Sequence, residues 1–529
     1  MTRLSTQVLI IGAGLAGSIA ALRLADRGIR VSLLAAGEEA ENANSWLAQG
    51  GIIYRSEDSD DAQLLAEDIL TAGCRHNDAQ AVRFLAGEGP RAVREMLVER
   101  VRARFDRHDA GSRLEEEWDL TREGGHSRQR IIHSADHTGR TIMEAVREAV
   151  RQSPCIRMLQ GYTAIDLLTS HHHTKGMTYR YQLENRCCGA YVYCESSRRV
   201  VTMLADVTIL ATGGVGQIYL HSTNAAGAVG SGIAMASRAF VRLENMEFMQ
   251  FHPTSLYHLE PRRVLVTEAL RGEGAWLVDS RGRRFMTAHD QRGELAPRDV
   301  VARAIVEELL ASGEPCVYLD TTPVRQNLEK RFPTVLKSCR ERGIDIRSQL
   351  IPVVPAAHYF CGGILADLTG RTTLERLYSI GECSCTGVHG ANRLASTSLL
   401  EALLWGVSAG DDIAARLEGG LEPLSRVHEA IEDWKSLGDE RNDDPALLAQ
   451  DWTAIRNIMW NYVGISRTEF RLARAFNELR ALSRTLHDFY RSTPLSKPII
   501  DLFHGCQTAC LITQAALRNT GDLGCHHRV

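Results

Sequence analysis

The chain opens with three segments of contrasting pattern. Residues 7–11 are an apolar run, residues 15–25 are rich in Ala and Leu, and residues 29–34 are apolar again. The outer two are short enough for buried strands and the middle one long enough for a helix. Gly12, Gly14 and Gly17 fall at the first junction. In a strand–turn–helix–strand unit, glycines at this spacing permit a tight turn, close approach of the backbone to a pyrophosphate, and close packing of helix on strand. The phosphates then rest on the helix N-terminus, where free N–H groups and the helix dipole favour anions. A dinucleotide site is therefore predicted, with Gly12, Gly14, Leu15, Ala16 and Gly17 around it.

Two later runs repeat the strand-then-glycine signal. Residues 206–210 lead into Ala211-Thr212-Gly213-Gly214, and residues 377–380 into Gly381-Glu382. Such signals at distant places predict an α/β fold: one Rossmann-like sheet assembled from discontinuous segments. The expected division is residues 1–244 and 358–419 for the dinucleotide domain, with 245–357 inserted as an α+β cap. From about residue 420 the pattern turns helical. Phe470, Ala473, Phe476, Leu479, Leu482, Leu486 and Phe489 recur every three to four residues, predicting an amphipathic helix of a bundle over 420–529. Residues 171–199 are polar and read as a solvated hairpin or loop.

Composition narrows the setting. The 529 residues are 44% hydrophobic and 24% charged, values of a soluble chain with two or three domains. A net charge of −4 gives no reason to expect nucleic acid or an anionic membrane as partner. No apolar run reaches the roughly 18 residues of a membrane span, and the first one runs straight into glycines rather than forming a secretory signal. The thirteen cysteines lack the spacing of a disulfide framework, so reduced thiols in the cytoplasm are expected. Cys187, Cys188 and Cys194, then Cys383 and Cys385, then Cys506, Cys510 and Cys525 with His526 and His527, all lack paired C-x₂-C spacing. They are read as packed thiols and not as metal ligands.

Several segments carry chemistry. Thr121-Arg122-Glu123-Gly124-Gly125-His126-Ser127 sets a carboxylate, Glu123, in a glycine-rich loop where it can meet a substrate amine. Gln250-Phe251-His252-Pro253-Thr254, the run from Thr267 to Gly274, Pro297-Arg298, Ala357-His358 and Asn392-Arg393 each offer a cation or a hydroxyl. Taken singly, each is more often structural than catalytic. Together, two arginines and two histidines in one pocket make a dicarboxylate site, because the planar guanidinium meets a carboxylate with two parallel hydrogen bonds.

The ordered set G-A-G-L-A-G, Leu47-Ala48-Gln49-Gly50-Gly51, T-R-E-G-G-H-S from Thr121, A-T-G-G from Ala211, Q-F-H-P-T from Gln250, T-E-A-L-R-G-E-G-A from Thr267, E-L-A-P-R-D-V-V-A-R-A from Glu294, I-P-V-V-P-A-A-H-Y from Ile351 and G-A-N-R-L-A-S from Gly390 resembles the succinate dehydrogenase/fumarate reductase flavoprotein family. Within it, the resemblance is to the L-aspartate oxidase branch, over nearly the whole chain. It implies FAD held by the residues named above, by Ser45, Ala48, Gln49, Gly50 and Gly51, by Ala211, Thr212, Gly213 and Ser231, by Glu382, and by the backbone of Ser398 and Leu399. It implies Arg298 as proton shuttle and Glu123 as the second catalytic group. His252, Thr267, His358, Arg393 and Gln250 would bind substrate. Relatives with covalent flavin carry a His where this chain has Asn44, so the FAD is expected to be non-covalent.

The implied reaction is oxidation of L-aspartate to iminoaspartate. O₂, giving H₂O₂, or fumarate accepts the electrons. The step opens NAD biosynthesis through quinolinate, with coupling to quinolinate synthase. A soluble fumarate reductase and a flavin carrier without turnover are the rival readings. Three positions depart from the branch on the cofactor side: Ala36 for Lys, Ser231 for Asp and Thr397 for Asn. The acid expected to bind the adenosine ribose is also missing at Ala35-Ala36-Gly37, with Glu38 or Glu39 as substitutes. Weaker FAD binding than usual in the branch is expected.

Overall fold

The structure is a computed structural model that describes residues 3–37, 43–55, 60–107, 118–258, 264–325, 327–435, 438 and 444–529. Glu38 and Glu39 lie outside the described residues. Strand β1 (Arg3–Ile11), helix α1 (Leu15–Ala25) and strand β2 (Val31–Ala35) form the opening unit. β1 pairs in parallel with β2 on one side and with the strand Arg199–Leu210 on the other. Ile156–Gln160 extends the sheet beyond β2, and Leu377–Ser379 joins the second half of Arg199–Leu210, both in parallel. Segments far apart in sequence thus build one sheet, and their carboxyl ends at Ile11, Ala35, Leu210 and Ser379 point to one crevice, the usual ligand position of such sheets.

The turn after β1 shows why this unit needs glycine. Gly12 has φ +118°, and a Cβ there would lie 2.1 Å from the Ala211 carbonyl oxygen. A Cβ on Gly17 would lie 2.0 Å from the Gly12 carbonyl oxygen, so α1 sits directly on the strand end. Every side chain of α1 from Leu15 to Leu22 is buried, matching its unbroken small and apolar sequence.

A four-stranded antiparallel sheet forms the cap, in the order Met249–Leu256, Ile351–Phe360, Val317–Asp320, Trp276–Val278. The helices Glu268–Gly272 and Arg298–Ser312 pack with it, and a separate apolar cluster that includes Leu270, Val301, Ile305, Leu319 and Val353 fills the space between. At the C-terminal end, the helices Pro445–Tyr462, Glu469–Ser492 and Lys497–Arg518 pack on one another.

Two expectations are corrected. Residues 171–199 are not one solvated hairpin: Cys187–Cys194 is a fully buried strand, antiparallel to both Tyr162–Thr169 and Arg199–Leu210. It is buried on both faces, with Cys187, Ala190 and Val192 in one cluster and Cys188, Tyr191 and Tyr193 in another. In the helix Glu469–Ser492 the buried stripe is Leu472, Ala475, Leu479 and Leu486. Phe470 stands outside it, 80% exposed.

Replacing Gly12 or Gly17 by Ala forces α1 away from the sheet. Each change is expected to lower unfolding stability by about 3 kcal/mol or more, read by chemical denaturation. Wild-type stability in both variants would contradict this account of the turn.

Candidate active site

A cavity of about 500 Å³ runs from the carboxyl ends of β1 and β2 to the underside of the cap. Its sheet-side half carries the glycine motifs. Helix α1 begins at Gly14 in extended conformation with no side-chain cap, and the Leu15 N–H donates to Ser45 Oγ at 3.2 Å. Gly50 and Gly51 line the wall beside Ala48 and Gln49, and the buried Gln49 Oε1 has no hydrogen-bond partner among the described residues. Thr212 Oγ1 accepts from the Gly232 N–H at 3.2 Å, which ties the Ala211-Thr212-Gly213 turn to the helix that starts at Ser231.

Glu382 is the acid of this half. Asn44 donates to its Oε2 at 3.0 Å and the Phe360 N–H to its Oε1 at 3.1 Å. Burial pushes its carboxyl up to about 7. A helix N-terminus with a glycine at its cap position, a buried amide oxygen and an enclosed acid whose carboxyl is raised to about 7 are the donor and acceptor set that a diphosphate and polyol cofactor requires. The residues present therefore fit FAD.

The cap-side half is cationic. Gln250 and His252 share one face of Met249–Leu256, and His358 and Tyr359 stand on the neighbouring strand, with Gln250 opposite Tyr359 in register. A bulge after His252 turns the strand. The two imidazoles meet edge to face, with centroids 5.1 Å apart. His252 Nδ1 contacts the Thr254 backbone at 3.1 Å and His358 Nδ1 the Thr223 hydroxyl at 2.9 Å. Burial, then Arg298 for His252 and His252 for His358, holds both rings well below the usual histidine range, so they are neutral hydrogen-bonding groups.

Arg298 opens its helix directly after Pro297. Its Nε donates to Glu268 Oε2 at 2.6 Å and its Nη1 to Gln250 Oε1 at 3.1 Å. Arg271, itself fully buried, stands 3.6 Å from the other Glu268 oxygen. Burial would raise the Glu268 carboxyl, but Arg298 and Arg271 outweigh it and hold the group below the usual range. Thr267 caps the same short helix by accepting from the Ala269 N–H, and it lines the cavity.

Arg393 is buried, and burial lowers its guanidinium to about 10. Among the described residues it has no ion pair, and its Nε has no hydrogen-bond partner. Its Cζ lies 4.5 Å from the Tyr359 ring centroid. That ring is fixed from behind: the Tyr359 hydroxyl donates to Glu401 Oε2 at 2.8 Å, while His389 and Thr386 hold Glu401 at 2.9 and 2.6 Å.

Glu123 reaches the cavity on a loop fastened by Arg130, which pairs with Asp61 at 2.7 Å and Asp68 at 2.6 Å with no exposure. Ser396 donates to Glu123 Oε2 at 2.6 Å. Burial, reinforced by Glu268, pushes the Glu123 carboxyl up, and Ser396, Arg298 and Arg393 oppose the rise. A Cβ on Gly50 would fall 2.5 Å from Glu123 Oε1 and one on Gly124 would fall 2.4 Å from Glu268 Oε1. Both glycines therefore clear room for a carboxylate.

The structure brings Glu123, His252, Thr267, Arg298, His358 and Arg393 to one cavity with Ser398 and Leu399. Gln250 and Gly17 stand behind its wall: Gln250 ties Arg298 to Asn392 and the Arg393 carbonyl, and Gly17 packs α1 on Gly12. Sequence reasoning missed Glu268, Arg271, Tyr359, Glu401 and Ser396 as site residues. All but Glu401 sit inside the motifs that carry the resemblance, close to the residues chosen from them.

A cationic pocket closed over a Rossmann-like cofactor crevice defines a flavin-dependent oxidoreductase. Residues 7–399 match the FAD binding domain family. The fold is similar to that of an E. coli quinol fumarate reductase FrdA variant, with TM-score 0.85 and 25% identity over 100% of this chain and 92% of that one. It is also similar to Mycobacterium smegmatis Sdh1, with TM-score 0.80 and 28% identity over 100% and 89%. The L-aspartate oxidase of Pseudomonas aeruginosa is 42% identical over 98% of this chain and 94% of its own length, and that of Yersinia pestis 40% over 99% and 95%. The chain belongs to the L-aspartate oxidase family, within the succinate dehydrogenase/fumarate reductase flavoproteins.

The Tyr359 ring is the face on which Arg393 lies. Tyr359→Leu is expected to weaken binding of succinate about tenfold, while Tyr359→Phe, which keeps the ring, loses less than about threefold. Flavin absorbance changes on titration read both, and equal losses would contradict the role of the ring.

Proposed function

We propose that this site oxidises L-aspartate to iminoaspartate with non-covalent FAD. The observation that carries the proposal is a pairing of opposites: among the described residues, the Arg393 guanidinium and the Glu123 carboxyl, neither of them in an ion pair, line one cavity. Together they complement a ligand that bears both a carboxylate and an ammonium.

Arg393 meets one substrate carboxylate with its two-pronged donor face, and neutral His358 adds a hydrogen bond. Arg298, His252 and Thr267 meet the other. Glu123 faces the ammonium, fixes which side of the substrate Cα–H is presented to the cofactor, and accepts a proton from the amine as the imine forms. Its raised carboxyl makes it a better proton acceptor than an ordinary glutamate. Holding both carboxylates and the amine leaves the substrate little freedom, and positioning of this kind is worth several kcal/mol. When bound, FAD supplies the two-electron acceptor, and its reoxidation by O₂ yields H₂O₂ or, with fumarate as oxidant, succinate. In the fumarate direction Arg298 donates a proton to the ligand, and the buried Glu268–Arg271 pair behind it supplies the replacement.

Asn44 supports non-covalent attachment, because its amide bridges Glu382 and the Ala225 N–H at 3.0 and 2.8 Å and offers no nucleophile. Iminoaspartate is unstable in water, which supports a place at the head of NAD synthesis through quinolinate and hand-over to quinolinate synthase. Among the described residues no helix is long and apolar enough to cross a membrane, and a cytoplasmic setting fits a pathway of diffusible acids.

Anaerobic addition of L-aspartate to the holoenzyme is expected to bleach the oxidised flavin spectrum, with succinate at the same concentration far slower. Faster bleaching by succinate would transfer the chain to the rival reading as a fumarate reductase, and no bleaching by either would leave a flavin carrier. The raised Glu123 carboxyl also sets a pH dependence. A group whose carboxyl is raised keeps its proton above the ordinary glutamate range, so kcat/KM for L-aspartate is expected to rise with pH through a limb displaced upward from that range. Glu123→Gln is expected to abolish the limb, and its survival in that variant would assign the titration to another group.

A further inference from the structure

The far end of the cofactor cavity is walled by residues that the glycine motifs do not announce. At the end of β2, Ala35, Ala36 and Gly37 line it without a side chain able to bond a ribose hydroxyl, and only Ser231 stands where the branch has an acid. On the same wall stand Lys497 and Asp501, from the first turns of the helix Lys497–Arg518.

Helix phase explains how they arrive there. Residues 497, 501, 504 and 508 fall on one stripe. Thr508 donates to the Gly230 carbonyl at 3.1 Å, and a Cβ on Gly230 would fall 2.6 Å from Thr508. His504 Nε2 donates to the Ile165 carbonyl at 3.0 Å, and Arg238 donates to the same carbonyl at 2.7 Å. The helix is thereby fixed along Tyr162–Thr169 and Ser231–Arg238, and its stripe continues to Asp501 and Lys497. Tyr162, Thr163 and Ala164 line the cavity with them, and so does Gln160, the register partner of Ala35. Asp501 has an 18% exposed side chain and pairs with Lys497 one turn earlier.

We propose that Asp501 and Lys497 form the adenosine end of the FAD site. Asp501 accepts hydrogen bonds from the ribose hydroxyls in place of the acid missing after β2, and Lys497 holds that carboxylate in position by its ion pair. The C-terminal helical region then belongs to the cofactor site and is not an appendage of it.

The test compares FAD with FMN, which shares the flavin and ribityl phosphate but lacks adenosine. Full-length apoprotein is titrated with each while flavin fluorescence is followed, without substrate, so the result is independent of the reaction proposed above. Asp501→Asn is expected to raise the Kd for FAD about tenfold and to change that for FMN by less than about twofold. Asp501→Glu is expected to recover most of the preference for FAD. Unchanged FAD affinity, or equal losses for FAD and FMN, would overturn the proposal. Should Asp501→Asn fail to fold, Lys497→Met at its partly exposed position is judged by the same two ratios.

Discussion

The site depends on a buried guanidinium without a carboxylate. Arg393 is enclosed, rests on the Tyr359 ring and has no ion pair among the described residues. Removing such a charge from water is costly unless something compensates it. The protein compensates Arg298 internally, through Glu268 at 2.6 Å, and leaves Arg393 to be compensated by a ligand. The network of Tyr359, Glu401, His389 and Thr386 holds the supporting ring without giving the guanidinium a carboxylate, and among the described residues its Nη1 donates only to the Leu394 carbonyl and the Ser398 hydroxyl at 3.2 and 3.4 Å. Glu123 is the opposite case: an acid whose burial is offset by the Ser396 hydroxyl rather than by an ion pair. Among the described residues, one cation and one acid without ion pairs line the same cavity, and that pairing is what the proposed choice of an amino acid over a plain diacid rests on.

The architecture serves that pairing. The strands Met249–Leu256 and Ile351–Phe360 belong to the capping sheet, yet Met249, Phe251, Ala357 and Phe360 are buried in a cluster shared with the main sheet. The cap is therefore anchored at the point where His252, His358 and Tyr359 enter the site. Residues from the glycine-rich loop at Glu123, from the cap at Arg298 and from the segment before the helix Thr397–Glu418 at Arg393 converge because each is fixed by its own buried contacts. Arg130 fastens the first, Gln250 links the second to Asn392, and the Tyr359 ring supports the third.

Much of this was legible in the chain. The opening unit follows from glycine spacing and apolar runs, since its steric demands are local: Gly12 and Gly17 answer to contacts within a few residues or one strand away. The discontinuous sheet was legible because each contributing strand ends in the same small-residue signal. The strand Cys187–Cys194 was not, because its flanks are polar and its own residues are buried on both faces, which removes the alternation that marks a half-exposed strand. Phe470 misled because a periodic pattern locates a stripe only to within one position. In the site, the residues chosen from the motifs mostly line one cavity, while Glu268, Tyr359 and Ser396, which line it too, and Arg271 and Glu401 behind it were not picked out. Glu401 lies on a helix beyond Arg393, and Lys497 and Asp501 come from the last long helix, so only the folded chain puts them beside their partners.

The most direct test of the paired-opposites account is a comparison of two constants in the Glu123→Gln variant. For L-aspartate, kcat/KM is expected to fall about a hundredfold, since the ammonium loses a buried charged partner. The inhibition constant of succinate, which has no ammonium, is expected to change by less than about threefold. Parallel losses for both ligands would contradict the claim that Glu123 reads the amine.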